Sequence, residues 1–170
     1  MAYMTFGFQA FDTAYIWNFK SPEWFMSVMA SLPAGGKCSG LYPTDTPLIA
    51  AFEVVHSAGV VCCVENQSHI EKLVTAFNSE DREDCKRLRA FISWAYTPKP
   101  DENVEIEGVD KVPVIAWKAA LEMGKCSGNE VAMQLRVAPQ ARQLLTLIYT
   151  YGTTGNPKAV MSSRLHDLHG

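Results

Sequence analysis

Polar and apolar positions along this chain alternate between a period near two and a period near 3.6, and each changeover marks the boundary of a predicted element. Thr13–Phe19 (TAYIWNF) is β-branched and aromatic, the composition of a strand. It runs into Ser21-Pro22-Glu23. There Ser21 suits a helix cap, Pro22 the first helical position and Glu23 the positive end of the helix dipole. Trp24, Phe25, Val28, Met29 and Leu32 then recur every three or four residues, which predicts one buried stripe ended by Pro33 and Gly35-Gly36. Lys37–Leu41 follows as a short extended piece. Thr46-Pro47 repeats the start signal, and Ile49, Phe52 or Glu53, and Val55 carry a second helix to Gly59.

Val60–Val64 (VVCCV) is apolar throughout, as a strand covered on both faces of a parallel sheet would be. Ser68-x-x-Glu71 has the spacing of a capping box for a third helix, with Ile70, Leu73, Val74 and Phe77 on one side. Beyond a charged turn, Ser79–Arg87, the segment Leu88–Trp94 reads as another strand. Strand and helix in this alternation predict an α/β fold, a layered parallel sheet with flanking helices and right-handed crossovers. Residues 96–111 hold the run PKPDENVEIEGVDK and are expected as an exposed loop or insertion. Val114–Gly124 predicts a short amphipathic helix through Ile115, Ala119 and Leu121, Lys125–Gln143 has no strong period, and Leu144–Thr150 returns to strand character. Residues 162–170 are expected as a frayed tail.

A length of 170 residues allows one domain with a real core and is short for two. Apolar residues at 48% and charged ones at 19% are ordinary for a globular chain, so disorder throughout is not indicated. A net charge of −3 leaves no basic footprint for nucleic acid. The five cysteines are odd in number, and their one close pair, Cys62-Cys63, is adjacent, so neither a disulfide framework nor a zinc site is expected. His166-x-x-His169 reads as solvated tail rather than a metal pair, and Glu80–Arg89 as a solvated turn rather than an acid–base site. The N-terminus lacks the basic region and cleavage site of a signal peptide. Asp12, Lys20 and Glu23 break its apolar run, so no bilayer-spanning helix is expected.

Chemistry concentrates in Tyr149–Met161 (YTYGTTGNPKAVM). Amides freed by Gly152 and Gly155, hydroxyls of Thr150, Thr153 and Thr154, and the Lys158 ammonium would together wrap a polyphosphate. The spacing is neither that of the Walker loop nor that of the dinucleotide fingerprint. Taken alone, the same residues also suit a hairpin turn.

The full string resembles the phosphate-binding signature of the AMP-forming adenylate ligases, roughly Y/F-T-S-G-T-T-G-x-P-K-G/A-V. That superfamily comprises the acyl-CoA synthetases, luciferases and peptide-synthetase adenylation domains. Phe19–Phe25 (FKSPEWF), Ala34–Thr46 (AGGKCSGLYPTDT) and Val54–Gly59 (VVHSAG) are similar to early segments of long-chain, bubblegum-type acyl-CoA synthetases, which extends the resemblance from about Gly7 to Met161. It implies a two-step reaction in which a long-chain fatty acid and ATP give an acyl-adenylate, and coenzyme A then gives the thioester. By this resemblance Thr150, Gly152, Thr153, Thr154, Gly155 and Lys158 hold the β- and γ-phosphates, with Mg²⁺ as the accompanying ion. Tyr151 stands in the same cofactor-binding stretch where the family has serine, and Ser162–Asp167 is displaced by two residues from the family's Ser-His segment.

In the family the adenine pocket, the magnesium-binding glutamate, the ribose-binding aspartate and the catalytic lysine all follow this loop. The resemblance therefore implies that residues 1–170 form an incomplete N-terminal AMP-binding domain with no catalytic or metal-ligating residue and no ligase activity alone. The implied partners are ATP and a long-chain fatty acid. The implied place is the cytoplasm, with peripheral association with the endoplasmic reticulum membrane left open. The stripe of Trp24, Phe25 and Met29 reads as core rather than as a fatty-acid channel. The alternative to a ligase fragment is a non-catalytic α/β module that binds nucleotide or docks on a partner.

Overall fold

The computed structural model describes residues 2–18, 21–79, 85–109, 111–126, 143–150 and 157–163. Eight strands form one sheet in the order β5-β6-β4-β3-β1-β2-β7-β8. They are β1 (Thr13–Trp17), β2 (Lys37–Leu41), β3 (Gly59–Val64), β4 (Ala90–Ser93), β5 (Asn103–Val104), β6 (Val112–Ala116), β7 (Leu144–Thr150) and β8 (Lys158–Ser163). The inner pairings from β6 to β7 are parallel, and the two outer pairings, β5 with β6 and β7 with β8, are antiparallel. The predicted layered α/β architecture is thus the observed one.

Helices cover both faces. On β1, Tyr15 and Trp17 point into one core and Ala14 and Ile16 into the other, and on β3 Cys62 and Val64 oppose Val61 and Cys63 in the same way. This two-sided burial is why VVCCV contains no polar residue. The first core lies under α3 (Pro47–His56) and α4 (Gln67–Phe77). The second lies under α1 (Ala2–Thr5), α2 (Pro22–Ser31) and α5 (Trp117–Cys126). Ser21 caps α2 by accepting from the Trp24 amide at 3.1 Å, and Thr46 caps α3 by accepting from the Ile49 amide at 3.3 Å, each followed by proline as expected.

Several expectations need correction. Helix α2 packs Trp24 and Val28 of the predicted stripe against the second core, but it turns Ser27 and Ser31 inward and leaves Phe25 58% and Met29 42% exposed. The space beneath it is filled by Tyr3, whose hydroxyl donates to the Ser27 carbonyl and lies 3.1 Å from Cys63 Sγ. Helix α4 is capped by Asn66, which accepts from the His69 amide at 3.2 Å, while Glu71 accepts from Gln67 Nε2 at 2.9 Å, so there is no Ser68 capping box. Val114 and Ile115 belong to β6, and the helix expected there begins only at Trp117.

Within residues 96–111, expected as an exposed loop or insertion, Asn103–Val104 form β5 and Ile106 is buried in the first core, while residue 110 lies outside the described residues. Ser162 and Ser163, assigned to the tail, are in β8, and Ser162 is buried; residues 164–170 lie outside the described residues. The charged turn contributes Arg87, whose guanidinium donates at 2.6 Å to the buried Asp12 carboxylate. Gly36 is required by close approach, since a Cβ there would collide with the Phe8 ring and the Asp12 carbonyl. All five cysteines are free, and Cys38, Cys62, Cys63 and Cys85 are buried.

Candidate functional site

Strand β7 alternates along its last residues, with Leu147 and Tyr149 buried and Ile148 and Thr150 exposed. Its antiparallel partner β8 sets Ile148 opposite Val160, Tyr149 opposite Ala159 and Thr150 opposite Lys158. The glycine-rich stretch therefore joins the two strands of a hairpin at one margin of the sheet. At the base of this hairpin the Thr150 hydroxyl donates to the Lys158 carbonyl at 3.4 Å, and the Lys158 side chain is exposed. Of the predicted phosphate-binding residues, the structure brings Thr150 and Lys158 together. Tyr151, Gly152, Thr153, Thr154 and Gly155 lie outside the described residues.

The hairpin joins the rest of the sheet over a short seam. Strand β2 pairs with β7 only through Cys38 with Thr146 and Ser39 with Leu147, reinforced by a 3.1 Å hydrogen bond from the Ser39 hydroxyl to the Leu147 carbonyl. Beyond that point the attachment passes to a side chain. The Tyr149 hydroxyl donates to the Glu53 carbonyl at 3.3 Å and sits 2.9 Å from His56 Nδ1. Which atom of the Tyr149–His56 pair donates follows the tautomer of the ring, Nδ1–H donating to the phenol oxygen or the phenol donating to a bare Nδ1. The rings of His56 and Tyr149 meet edge to face at 5.7 Å, and Phe52 stacks on the other side of His56 at 5.4 Å.

Beneath these groups lies Glu53, fully buried in α3. Its Oε2 accepts from the Tyr15 hydroxyl at 3.3 Å, and its Oε1 has no hydrogen-bond partner among the described residues. Burial, reinforced by the nearby Asp45 charge, pushes its carboxyl up to about 8, so the neutral acid predominates at pH 7. Burial also pushes the Tyr149 phenol up to about 12 and holds the Tyr15 phenol well above its usual value, the Glu53 charge adding in both cases. Sequence reasoning assigned none of these groups to a site. The available signal was an acid at a stripe position of the PLIAAFEVVH helix, whose remaining residues are apolar up to the terminal His56.

Among the described residues no group of three or more His, Cys, Asp or Glu side chains could hold a metal ion. Nor is any helix among them long and apolar enough to cross a membrane. A cavity of about 610 Å³ opens on the opposite face of the sheet, lined by Tyr3, Met26, Ile92, Trp117 and Leu121, away from the hairpin base.

This layered arrangement is shared with solved adenylate-forming enzymes. The adenylation domain of a carboxylate reductase from Mycobacterium chelonae superposes with a TM-score of 0.69 at 18% identity, covering 96% of this chain and 25% of that one, a likeness of fold. The AMP-binding enzyme family model matches residues 3–167, and the chain belongs to that family. Among curated relatives, the long-chain-fatty-acid–CoA ligase ACSBG2 of Homo sapiens is 29% identical over 161 residues, 95% of this chain and 22% of its own length. ACSBG1 of Rattus norvegicus is 27% identical over 162 residues, 95% of this chain and 20% of its own. The chain thus spans about a fifth of the length of these relatives.

Proposed function

We propose that this chain supplies the polyphosphate-gripping part of an ATP-dependent long-chain fatty acid–CoA ligase, and that these residues alone do not complete the reaction. The observation that carries the reading is the family match over residues 3–167, which contains the whole Thr150–Lys158 stretch. In the reaction a fatty acid carboxylate oxygen bonds to the α-phosphorus of ATP and pyrophosphate leaves. The coenzyme A thiol then bonds to the acyl carbon and AMP leaves. Lys158, and the Thr150 hydroxyl once it turns from the Lys158 carbonyl, serve the first step by holding the β- and γ-phosphates as charge shifts onto pyrophosphate. Mg²⁺, when bound, would neutralise part of that charge.

Titration calorimetry with ATP-Mg tests the binding half of this reading, and absence of heat above buffer dilution would remove it. A coupled assay for pyrophosphate release with oleate, ATP and coenzyme A tests the other half, with no turnover above background expected. A second reading, a non-catalytic module docking on a partner, draws support from Ile148, Val160 and Met161, which stand 46%, 51% and 71% exposed on the hairpin. Nucleotide-independent association in the same calorimetry cell with a longer relative would favour it. Peripheral attachment to the endoplasmic reticulum membrane is tested by flotation with phosphatidylcholine vesicles.

A further inference from the structure

The β7–β8 hairpin carries Thr150 and Lys158, yet its backbone pairing with β2 ends at Leu147. Past Leu147, no backbone pair joins Ile148–Thr150 of β7 to β2. What holds that end down is the buried Tyr149, with its ring in the first core and its hydroxyl between His56 Nδ1 and the Glu53 carbonyl at the end of α3.

We infer that Tyr149 and His56 form a latch between β7 and α3 that sets the position of Thr150 and Lys158, which makes both positioning residues for nucleotide binding. This rests on the proposed reading of the hairpin base as a phosphate grip. Neither residue need touch nucleotide. Tyr149 directly precedes Thr150 in the chain, so a shift of its ring moves the Thr150 backbone with it. It also lies opposite Ala159, one residue from Lys158, so both margins of the hairpin follow. His56 is exposed, and burial of apolar surface therefore does not account for its place against the phenol. The titratable groups facing the latch are Glu53 and His56 from α3, Tyr15 from β1 and Asp45 from the turn before α3. Ionisation of the buried Glu53 beside Asp45 adds negative charge beneath the Tyr149 ring and loosens the latch.

The test combines amide exchange with nucleotide binding in the full chain, using Tyr149→Phe, His56→Ala and His56→Gln. Loss of one such hydrogen bond corresponds to a roughly 5- to 10-fold rise in local opening. We expect that rise in Tyr149→Phe and in His56→Ala at amides of the β2–β7 seam, Cys38–Gly40 and Leu145–Ile148. The β1–β3 amides should stay unchanged, and His56→Gln, whose amide can still donate, should restore protection. ATP-Mg affinity should fall several-fold in the first two variants. In the wild-type chain seam protection should weaken above pH 8, and Glu53→Gln should abolish that pH response. Unchanged seam exchange overturns the latch, and so does a rise spread equally over β1–β3, which would make Tyr149 simply a core residue. Loosened seams with undiminished ATP-Mg affinity overturn the positioning role. If the wild-type chain binds no ATP-Mg, the phosphate-grip reading fails, and seam exchange alone then decides the latch.

Discussion

Thr150 and Lys158 face each other across the first pair of the β7–β8 hairpin, the threonine hydroxyl 3.4 Å from the lysine carbonyl. This pairing brings two side chains separated by seven residues of sequence to one spot, and Lys158 is free to swing because it is exposed. A charge-assisted hydrogen bond to phosphate is worth about 1.5–3 kcal/mol. Lys158→Ala should therefore weaken ATP-Mg binding roughly 10- to 100-fold while leaving the melting temperature within a degree or so, since no packing is lost. Calorimetry and a thermal melt on the same sample separate the two effects. A collapse in melting temperature would show instead that the lysine is structural.

Tyr151 stands where the resembling signature has serine. On the proposed reading of this stretch as a phosphate grip, a phenol in place of serine removes a small hydroxyl ligand and adds bulk. Tyr151→Ser should tighten ATP-Mg binding, and Tyr151→Phe should not. Equal affinity in all three proteins would mean that this side chain plays no part in holding phosphate.

Glu53 gives stability a pH dependence of definite sign. Its carboxyl is pushed by burial from an ordinary 4.5 to about 8 in the folded chain. Between these values the folded state holds a proton that the unfolded state has released. Glu53's contribution is therefore full below pH 4.5, declines across the window and is lost above pH 8. The loss is on the order of a few kcal/mol. Urea denaturation at intervals from pH 5 to 9 should show the wild-type midpoint falling, with a flatter profile for Glu53→Gln. Identical slopes would remove Glu53 as the cause.

His69 acts in the opposite sense. Its ring lies 4.7 Å from Trp17, its Nδ1 is buried without a partner among the described residues, and burial lowers its basicity, with the Lys72 charge adding to the effect. The stability it contributes is present above its unfolded value near 6.5 and is lost as pH falls through the lower folded value. His69→Phe should raise the denaturation midpoint at pH 5 relative to wild type more than at pH 7.5.

What could be read from sequence alone was whatever depends on neighbouring residues. VVCCV announces a strand buried on both faces because no polar atom can be satisfied there, and Ser21-Pro22 and Thr46-Pro47 announce helix starts because cap and proline act within one turn. The glycine-rich stretch could be read either as a hairpin connector or as a phosphate-holding loop, and the structure pairs Thr150 with Lys158 at its margins. Features fixed by distant contacts were not legible. Ser27 is buried on the inner side of α2, where Tyr3, from a helix with no periodic signal, fills the space and donates to its carbonyl. Pro113 argues against a strand interior, yet β6 accommodates it opposite Asn103 of the two-residue β5. Glu53 joins a site only because the chain returns to it at Tyr149, a contact 96 residues away.

The start of α4 offers a test of local energetics in which two residues two positions apart compete for the same role. Ser68 and Glu71 have capping-box spacing, but the side chain that accepts the His69 amide is Asn66, whose backbone is extended, with φ −141° and ψ 172°. A cap residue sits outside the helix with its side-chain oxygen turned back to an orphan amide; Ser68, already in the first turn, cannot fill that role. Asn66→Ala should cost about 1 kcal/mol. Ser68→Ala, at an exposed helical position, should stay within about 0.5 kcal/mol of wild type or stabilise slightly, because alanine is the better helix former. Chemical denaturation of both variants decides the matter, and a larger loss at Ser68 than at Asn66 would move the helix start two residues along the chain.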